Sequence, residues 1–193
     1  MDLLTRCAGQ TCFVMRALVL GFLFTIATSS GAATLGDFAG ALAVPTAAGY
    51  SAKNWNALDP VEGVKWGDAT LKEAPSSFAR EGDFALDGHG SATVLVVGAR
   101  QMMFDVEVTL SRLLERRDIA RTLSAQFPGT TLLEQIRGRC PQDTSSGGSC
   151  VYRVTLPGRR PLYMRLDGLA VDKRSAGGTR FSLSIDDKPG WAC

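Results

Sequence analysis

The stretches CVYRVTL (residues 150–156), LYMRLD (162–167) and RFSLSI (180–185) decide the fold of this chain. In each of them apolar and polar side chains alternate, so that one face is apolar and the other is polar. A period of two with one apolar face predicts half-buried strands, which are normally antiparallel. Turn-forming residues separate the stretches, PGRR at 157–160 and KRSAGG at 173–178. The sequence therefore predicts a three-stranded antiparallel meander.

More strands are predicted upstream of this meander. Residues 93–97 (TVLVV) are apolar on both faces, which predicts a central, buried strand. Residues 102–110 alternate again, and GARQ at 98–101 would join the two strands as a hairpin. Residues 84–86 are predicted to add a short strand before the turn DGHG. On the strand over 102–110, we expect the apolar face to hold Met102, Phe104, Val106, Val108 and Leu110.

One principal helix is predicted over residues 113–127. Its apolar side chains recur with helical spacing, and PG at 128–129 ends it. Residues 132–139 are predicted to form a strand that pairs with 150–156. The expected fold class is α+β, with antiparallel β-meander sheets packed on one principal α-helix. The apolar stripe of that helix is predicted to hold Ile119, Ala120, Leu123 and Phe127.

Residues 1–33 have the composition of a signal peptide. ALVLGFLFTIA at 17–27 is an apolar core that follows Arg16, and the small residues up to Ala33 suit a signal peptidase. A run of about 11 apolar residues is too short to cross a bilayer as a helix. We expect a periplasmic or secreted protein that meets the membrane only during export, with an uncleaved anchor as the alternative. Met15 is an alternative start, since Met15 and Arg16 would begin an ordinary signal.

The remaining chain is predicted to form one compact domain, residues 60–193, behind a flexible leader, residues 34–59. The leader is low in charge and rich in Ala and Gly. Without residues 1–33 the chain carries 19 basic and 18 acidic side chains. This near-zero net charge argues against nucleic acid as a partner. Arginine outnumbers lysine 16 to 5, which is compatible with a GC-rich bacterial genome.

Two cysteines flank a polar, turn-forming insert. Cys140 and Cys150 enclose PQDTSSGGS, and antiparallel pairing of the flanking strands would bring them within reach of a disulfide. An oxidising compartment would preserve the bridge. A metal or redox site is the alternative, but the spacing is not Cys-x-x-Cys and the chain has a single histidine. We predict a structural disulfide and neither metal nor cofactor, and Cys193 is left without an assigned role.

The charges are segregated along the chain. Residues 34–136 carry 9 basic and 13 acidic side chains, whereas residues 137–193 carry 10 and 5. The predicted binding surface lies on the polar side of the meander, where arginines could grip an anionic partner through forked hydrogen bonds. The alternative is a solvated face whose arginines meet acidic residues of the same molecule. The predicted binding residues are Arg153, Tyr163, Arg165 and Arg180.

No segment has a strong catalytic pattern. His89 lies within DGHGS, but three residue types so close in a glycine-rich turn rarely align as a triad, so we expect a solvated turn. Asp105 and Glu107 point the same way from one strand and could act as an acid–base pair. Phosphate-binding, dinucleotide, zinc and calcium motifs do not occur in the sequence.

Two functional hypotheses follow from these patterns. The first is an exported, non-catalytic binding protein of the inhibitor or immunity type, which recognises a protein or an anionic component of the cell envelope. The second is a cell-envelope hydrolase that uses a carboxylate pair such as Asp105 and Glu107. A pocket with two inward-facing acids would favour the hydrolase, and an arginine-lined sheet without a cleft would favour the binding protein.

Overall fold

The alternating segments form one antiparallel sheet, accompanied by two α-helices. The computed structural model describes residues 31–48, 53–67, 70–71, 77–99, 102–138, 149–169 and 177–186. Its helices are α1 (Leu35–Leu42) and α2 (Arg116–Gln126), with a 3₁₀ helix over Trp55–Leu58. Its strands are β1 (Lys65–Trp66), β2 (Thr70–Leu71), β3 (Ser77–Leu86), β4 (Gly90–Ala99), β5 (Met102–Leu110), β6 (Leu132–Gly138), β7 (Ser149–Thr155), β8 (Leu162–Leu169) and β9 (Gly178–Ser184).

The sheet consists of two meanders. The first contains β1–β5, the second contains β6–β9, and pairing of β5 with β9 joins them. The strand order is β1-β3-β4-β5-β9-β8-β7-β6, with β2 also paired to β3, and every pairing is antiparallel. The predicted meander over β7, β8 and β9 is confirmed, and β6 pairs with β7 as predicted. At the junction, Gly178 permits β9 to approach β5, because a Cβ there would lie 2.5 Å from Leu110 O.

The core lies between the helices and the apolar face of the sheet. The alternating apolar residues of β7, β8 and β9 are buried as predicted, including Val154, Met164 and Leu183. Removing each such side chain from water contributes about 1.5–3 kcal/mol before conformational entropy is subtracted. The largest fully buried side chains are Leu35, Phe38, Leu42, Leu58, Leu86, Met103, Leu110, Leu162, Met164, Leu166, Phe181 and Leu183.

The described residues contain two α-helices, so one principal helix is not confirmed, and α1 lies within the range that was predicted as a leader. Thr34 caps α1, since Asp37 N donates to Thr34 Oγ1 at 3.2 Å and Thr34 N donates to Asp37 Oδ2 at 2.8 Å. The ring of Phe38 is fully buried and meets Phe84 edge to face, with 5.2 Å between ring centroids. Low charge and small residues indicate a linker by composition, but Leu35, Phe38 and Leu42 recur with helical spacing and are fully buried in the core.

Helix α2 is shorter than predicted, and two polar residues occupy its inner face. Ile119, Leu123 and Phe127 are buried as predicted, whereas Ala120 is exposed. Gln126 is buried because both ends of its amide are satisfied: Leu35 N donates to its Oε1 at 3.2 Å, and its Nε2 donates to the carbonyl of Asp87 at 2.8 Å. Gln126 thus ties the start of α1 to the turn between β3 and β4. The inward positions that the apolar pattern did not identify are Thr122 and Gln126.

A bulge changes which residues of β5 face the core. Val97 pairs with Asp105 and Gly98 pairs with Met103, so Phe104 is an extra residue in the strand. Met103 is therefore fully buried, and the predicted apolar positions Met102 and Phe104 are exposed. From residue 106 onward the predicted alternation is confirmed, with Val106, Val108 and Leu110 buried.

The predicted signal peptide falls almost entirely on residues 1–30, which lie outside the described residues, so cleavage and export stay predictions. Within the described ranges no helix is long and apolar enough to cross a membrane.

Candidate functional site

Strand register places the predicted binding residues on one side of the sheet. Arg153 of β7 is opposite Tyr163 of β8, and Tyr163 is opposite Ser184 of β9. Ser184 is in turn opposite Asp105 of β5. Residues directly opposite each other in an antiparallel pair present their side chains to the same face. These four residues therefore form one row across four strands.

Two further rows run parallel to the first. Arg165 is opposite Ser182, and Ser182 is opposite Glu107. Asp167 is opposite Arg180 in the next row. The face that these rows form, called the polar face below, lies on the side of the sheet opposite the core. It comprises Asp105, Glu107, Arg153, Tyr163, Arg165, Asp167, Arg180, Ser182 and Ser184.

Four charged side chains form a chain of ion pairs across the centre of the polar face. Arg165 Nε donates to Asp167 Oδ1 at 2.6 Å. Arg180 Nε lies 3.9 Å from Asp167 Oδ2, and Arg180 Nη1 lies 3.7 Å from Glu107 Oε2. The Arg165 contact is a charge-assisted hydrogen bond, whereas the two Arg180 distances are too long for hydrogen bonds and are ion pairs only. The chain Arg165–Asp167–Arg180–Glu107 links β8, β9 and β5.

Arg153 makes a separate and more exposed pair. Its Nη1 lies 3.3 Å from Glu134 Oε2 on β6, and the two side chains are 45% and 65% exposed. An ion pair this exposed contributes at most about 1 kcal/mol of stability. Glu134 lies opposite Arg153 on β6, and Tyr163 lies opposite it on β8.

The expected excess of positive charge is not present where the three predicted arginines lie. Each of them has a carboxylate neighbour: Glu134 for Arg153, Asp167 for Arg165, and Asp167 with Glu107 for Arg180. The alternative interpretation, in which acidic residues of the same molecule neutralise the arginines, therefore describes this face. Glu134 and Asp167 were not among the predicted site residues, although Asp167 follows Arg165 by two residues and therefore shares its face of the strand.

Asp105 differs from the other carboxylates of the polar face. Burial raises the pKa of its carboxyl, the Ser184 hydroxyl opposes that shift, and the nearby Asp186 adds to it. Its Oδ1 is buried without a hydrogen-bond partner in the described part of the chain. Glu107, the other half of the predicted acid–base pair, is engaged with Arg180. Three surface cavities of the described residues lie beside α1, beside the turn between β3 and β4, and beside the end of α2, and neither carboxylate lines any of the three.

We expect Asp105→Asn to stabilise the protein at neutral pH. An acid whose pKa is raised by folding holds its proton more tightly in the folded chain, so ionisation costs stability as the pH rises above about 3.8 and through the folded-state value. Asparagine removes that cost and keeps the shape. Thermal midpoints of both proteins between pH 3 and pH 8 should diverge with rising pH and converge below pH 4. A mutant that is less stable at pH 7 would contradict the assignment.

Cys150 lies on the core side of β7 and is fully buried. It is disulfide-bonded, and it sits opposite Gly138 of β6 and Leu166 of β8. Cys140 and Cys193 both lie outside the described residues. The pairing of Cys140 with Cys150 therefore stays a prediction.

His89 lies in the turn between β3 and β4, where its amide N donates to Leu86 O at 2.8 Å. Its ring Nδ1 contacts Arg112 Nη2, an arrangement that differs from a Ser–His–Asp triad. Among the described residues, no group of three or more His, Cys, Asp or Glu side chains could hold a metal ion.

Comparison with known proteins does not assign a family. The chain matches no family model, no curated protein and no solved structure.

Proposed function

We propose that this chain is an exported, non-catalytic binding protein whose polar face contacts a protein partner. The observation that carries the proposal is the placement of Arg153, Tyr163, Arg165 and Arg180 on three adjacent strands of one sheet face. Arginine and tyrosine dominate the energetics of protein interfaces, because each combines a large rigid contact area with directional hydrogen bonds.

The ion pairs support recognition by holding the arginines before the partner arrives. A long side chain that is ordered only on binding costs about 0.5–1.5 kcal/mol. Asp167 holds Arg165 at 2.6 Å, and Glu134 holds Arg153 at 3.3 Å. A guanidinium has five N–H donors, and the pair with Glu134 engages Arg153 through Nη1.

The balance of charge favours a protein over a polyanion as the partner. Glu107, Glu134 and Asp167 accompany the three arginines on or beside the polar face. A polyanion would meet repulsion from these carboxylates, whereas a protein surface can present a matching alternation of charges. An inhibitor or immunity type of function fits such a face. Export is part of the same proposal, supported by the apolar core at 17–27 and by the disulfide at Cys150.

Arg153→Ser combined with Tyr163→Ala should weaken partner binding at least about tenfold, the effect expected when two anchor residues are lost. These two side chains are the suitable pair to change. Removing Arg165 or Arg180 would instead deprive the buried carboxylate of Asp167 of a partner and would cost stability. The measurement is capture of the partner from envelope extract with the exported chain, followed by affinity measurements at two salt concentrations.

Arg117→Ser is the matched control for charge. Arg117 is 79% exposed on α2, pairs with Glu115 at 2.7 Å and lies outside the polar face. The control should bind as the wild type does, and the double variant should keep the wild-type thermal midpoint. Equal weakening in the control and in the double variant would indicate non-specific attraction to an anionic envelope component. Unchanged affinity in the double variant would refute a role for the polar face.

A further inference from the structure

A cleft separate from the polar face lies beside helix α2. It has a volume of about 580 Å³ and lies between the β3–β4 turn, the segment that joins β5 to α2, and α2 itself. One wall is polar and the other contains apolar side chains. The residues that line the cleft include His89, Arg112, Leu113, Leu114, Asp118 and Arg121.

Hydrogen bonds hold both walls of the cleft in place. The turn that carries His89 is fixed at its base, since Asp87 O accepts from Gln126 Nε2 at 2.8 Å and Asp87 N donates to Ala33 O at 3.2 Å. On the other wall Leu114 N donates to the hydroxyl of the buried Thr179 at 2.9 Å. The cleft is therefore built on the core and does not depend on loops that are free to move.

The positive charge of Arg112 in this cleft is not paired with a carboxylate among the described residues. Two arginines of α2 are paired with an acid, Arg117 with Glu115 and Arg121 with Asp118. Among the described residues, the polar side chain that meets the guanidinium of Arg112 is the ring of His89. Because Nδ1 accepts from Arg112, a neutral ring carries its proton on Nε2 and is a donor there.

We propose that this cleft binds the oxyanion of a small molecule, a carboxylate or a phosphoryl group, through Arg112 and the Nε2–H of His89. A guanidinium matches the geometry of an oxyanion through paired N–H donors, and here it is not already engaged by a carboxylate. Leu113 and Leu114 would contact the carbon skeleton of the ligand. The inference is independent of the polar face and of its protein partner.

The protonation of His89 couples ligand binding to pH. Burial lowers the pKa of His89, and the cation of Arg112 lowers it further; Asp87 raises it, Arg121 lowers it and Asp118 raises it, each more weakly. The ring is therefore neutral at pH 7 in the empty cleft. Glu115 also lines the cleft and is paired with Arg117. A bound anion favours the imidazolium form, so by linkage its binding must tighten as the pH falls through the His89 titration.

The single histidine of the chain makes this coupling directly measurable. The Cε1–H resonance of His89 can be followed by NMR between pH 5 and pH 8, without ligand, with sulfate and with acetate, at constant ionic strength set by NaCl. We expect at least one anion to raise the pKa of His89 and to bind about tenfold more tightly at pH 5 than at pH 8. A larger rise in the pKa of His89 with sulfate would indicate a phosphoryl ligand, and a larger rise with acetate would indicate a carboxylate.

Arg112→Gln should raise the pKa of His89 in the absence of ligand and should weaken anion binding at least about tenfold. Because Arg112 is exposed at the mouth of the cleft, the substitution should leave the fold intact. Arg153→Gln is the matched control, since Arg153 lies on the polar face, is not part of the cleft wall and should respond to the anion as the wild type does. The proposal is overturned if neither anion changes the His89 titration of the wild type, or if Arg112→Gln responds to the anion as the wild type does.

Discussion

Replacing Phe38 with alanine should lower the free energy of unfolding by about 3–5 kcal/mol, the range for a large aromatic side chain removed from a packed core. Phe38 is fully buried in α1, and its ring packs against Phe84 of β3. The cavity would open between a helix and the sheet, where the backbone on both sides is held by hydrogen bonds. Urea unfolding followed by circular dichroism measures the change directly.

The same experiment separates a structural helix from a mobile leader. Thr46→Ala is the control, since Thr46 follows α1 in the same segment and is exposed. We expect the control to change stability by less than about 0.5 kcal/mol. If residues 34–59 were a leader, Phe38→Ala and Thr46→Ala would have the same small effect, and that outcome would remove α1 from the core.

The strands of the second meander could be predicted because their signal is local. Val154, Met164 and Leu183 each alternate with polar neighbours over six or seven residues, and that period is sufficient to assign a half-buried strand. Helix α1 has no comparable signal. Leu35–Leu42 has 8 residues, too few for a long periodic pattern, and its mostly small or apolar residues are also typical of a linker, so its remaining sequence signal is the capping spacing of Thr34 and Asp37.

Strand β3 shows how glycine and charged residues can conceal a strand. Only its end at residues 84–86 was predicted, although the strand begins at Ser77. Arg80 and Glu81 interrupt the apolar pattern, and a glycine at position 82 is unfavourable for a strand by propensity. In the structure the glycine has a specific role, since a Cβ at that position would lie 2.9 Å from Val64 Cγ1, beside β1.

The residues of the candidate site could be predicted from the sequence, but the contacts between them could not. Alternation alone places Arg153, Arg165 and Arg180 on the polar sides of their strands. The contact between Arg180 and Glu107 requires β9 to pair with β5, which lies about 70 residues earlier in the chain. No local pattern encodes which strand ends up beside another. The contact of Arg112 with His89 has the same origin, because two separate turns converge on one cleft.

Phe181→Ala should have a similarly large effect, about 3–5 kcal/mol, and should test whether the two meanders unfold together. Phe181 is fully buried on β9, opposite Val108 of β5 and Leu166 of β8. It therefore contributes to the core at the place where the two meanders meet, between β5 and β9. A cavity at this junction should destabilise both, so fluorescence and circular dichroism should report one coincident transition at lower urea concentration.

Phe104→Ala is the matched control for Phe181→Ala, because it makes the same chemical change on the neighbouring strand. The bulge in β5 leaves Phe104 37% exposed, so its truncation should cost less than about 1 kcal/mol. Similar losses for the two variants would show that the bulge, and with it the burial of Met103, is assigned wrongly. Two separate transitions in Phe181→Ala, with one at the wild-type midpoint, would show that the meanders are independent units and that β5 and β9 pair too weakly to join them.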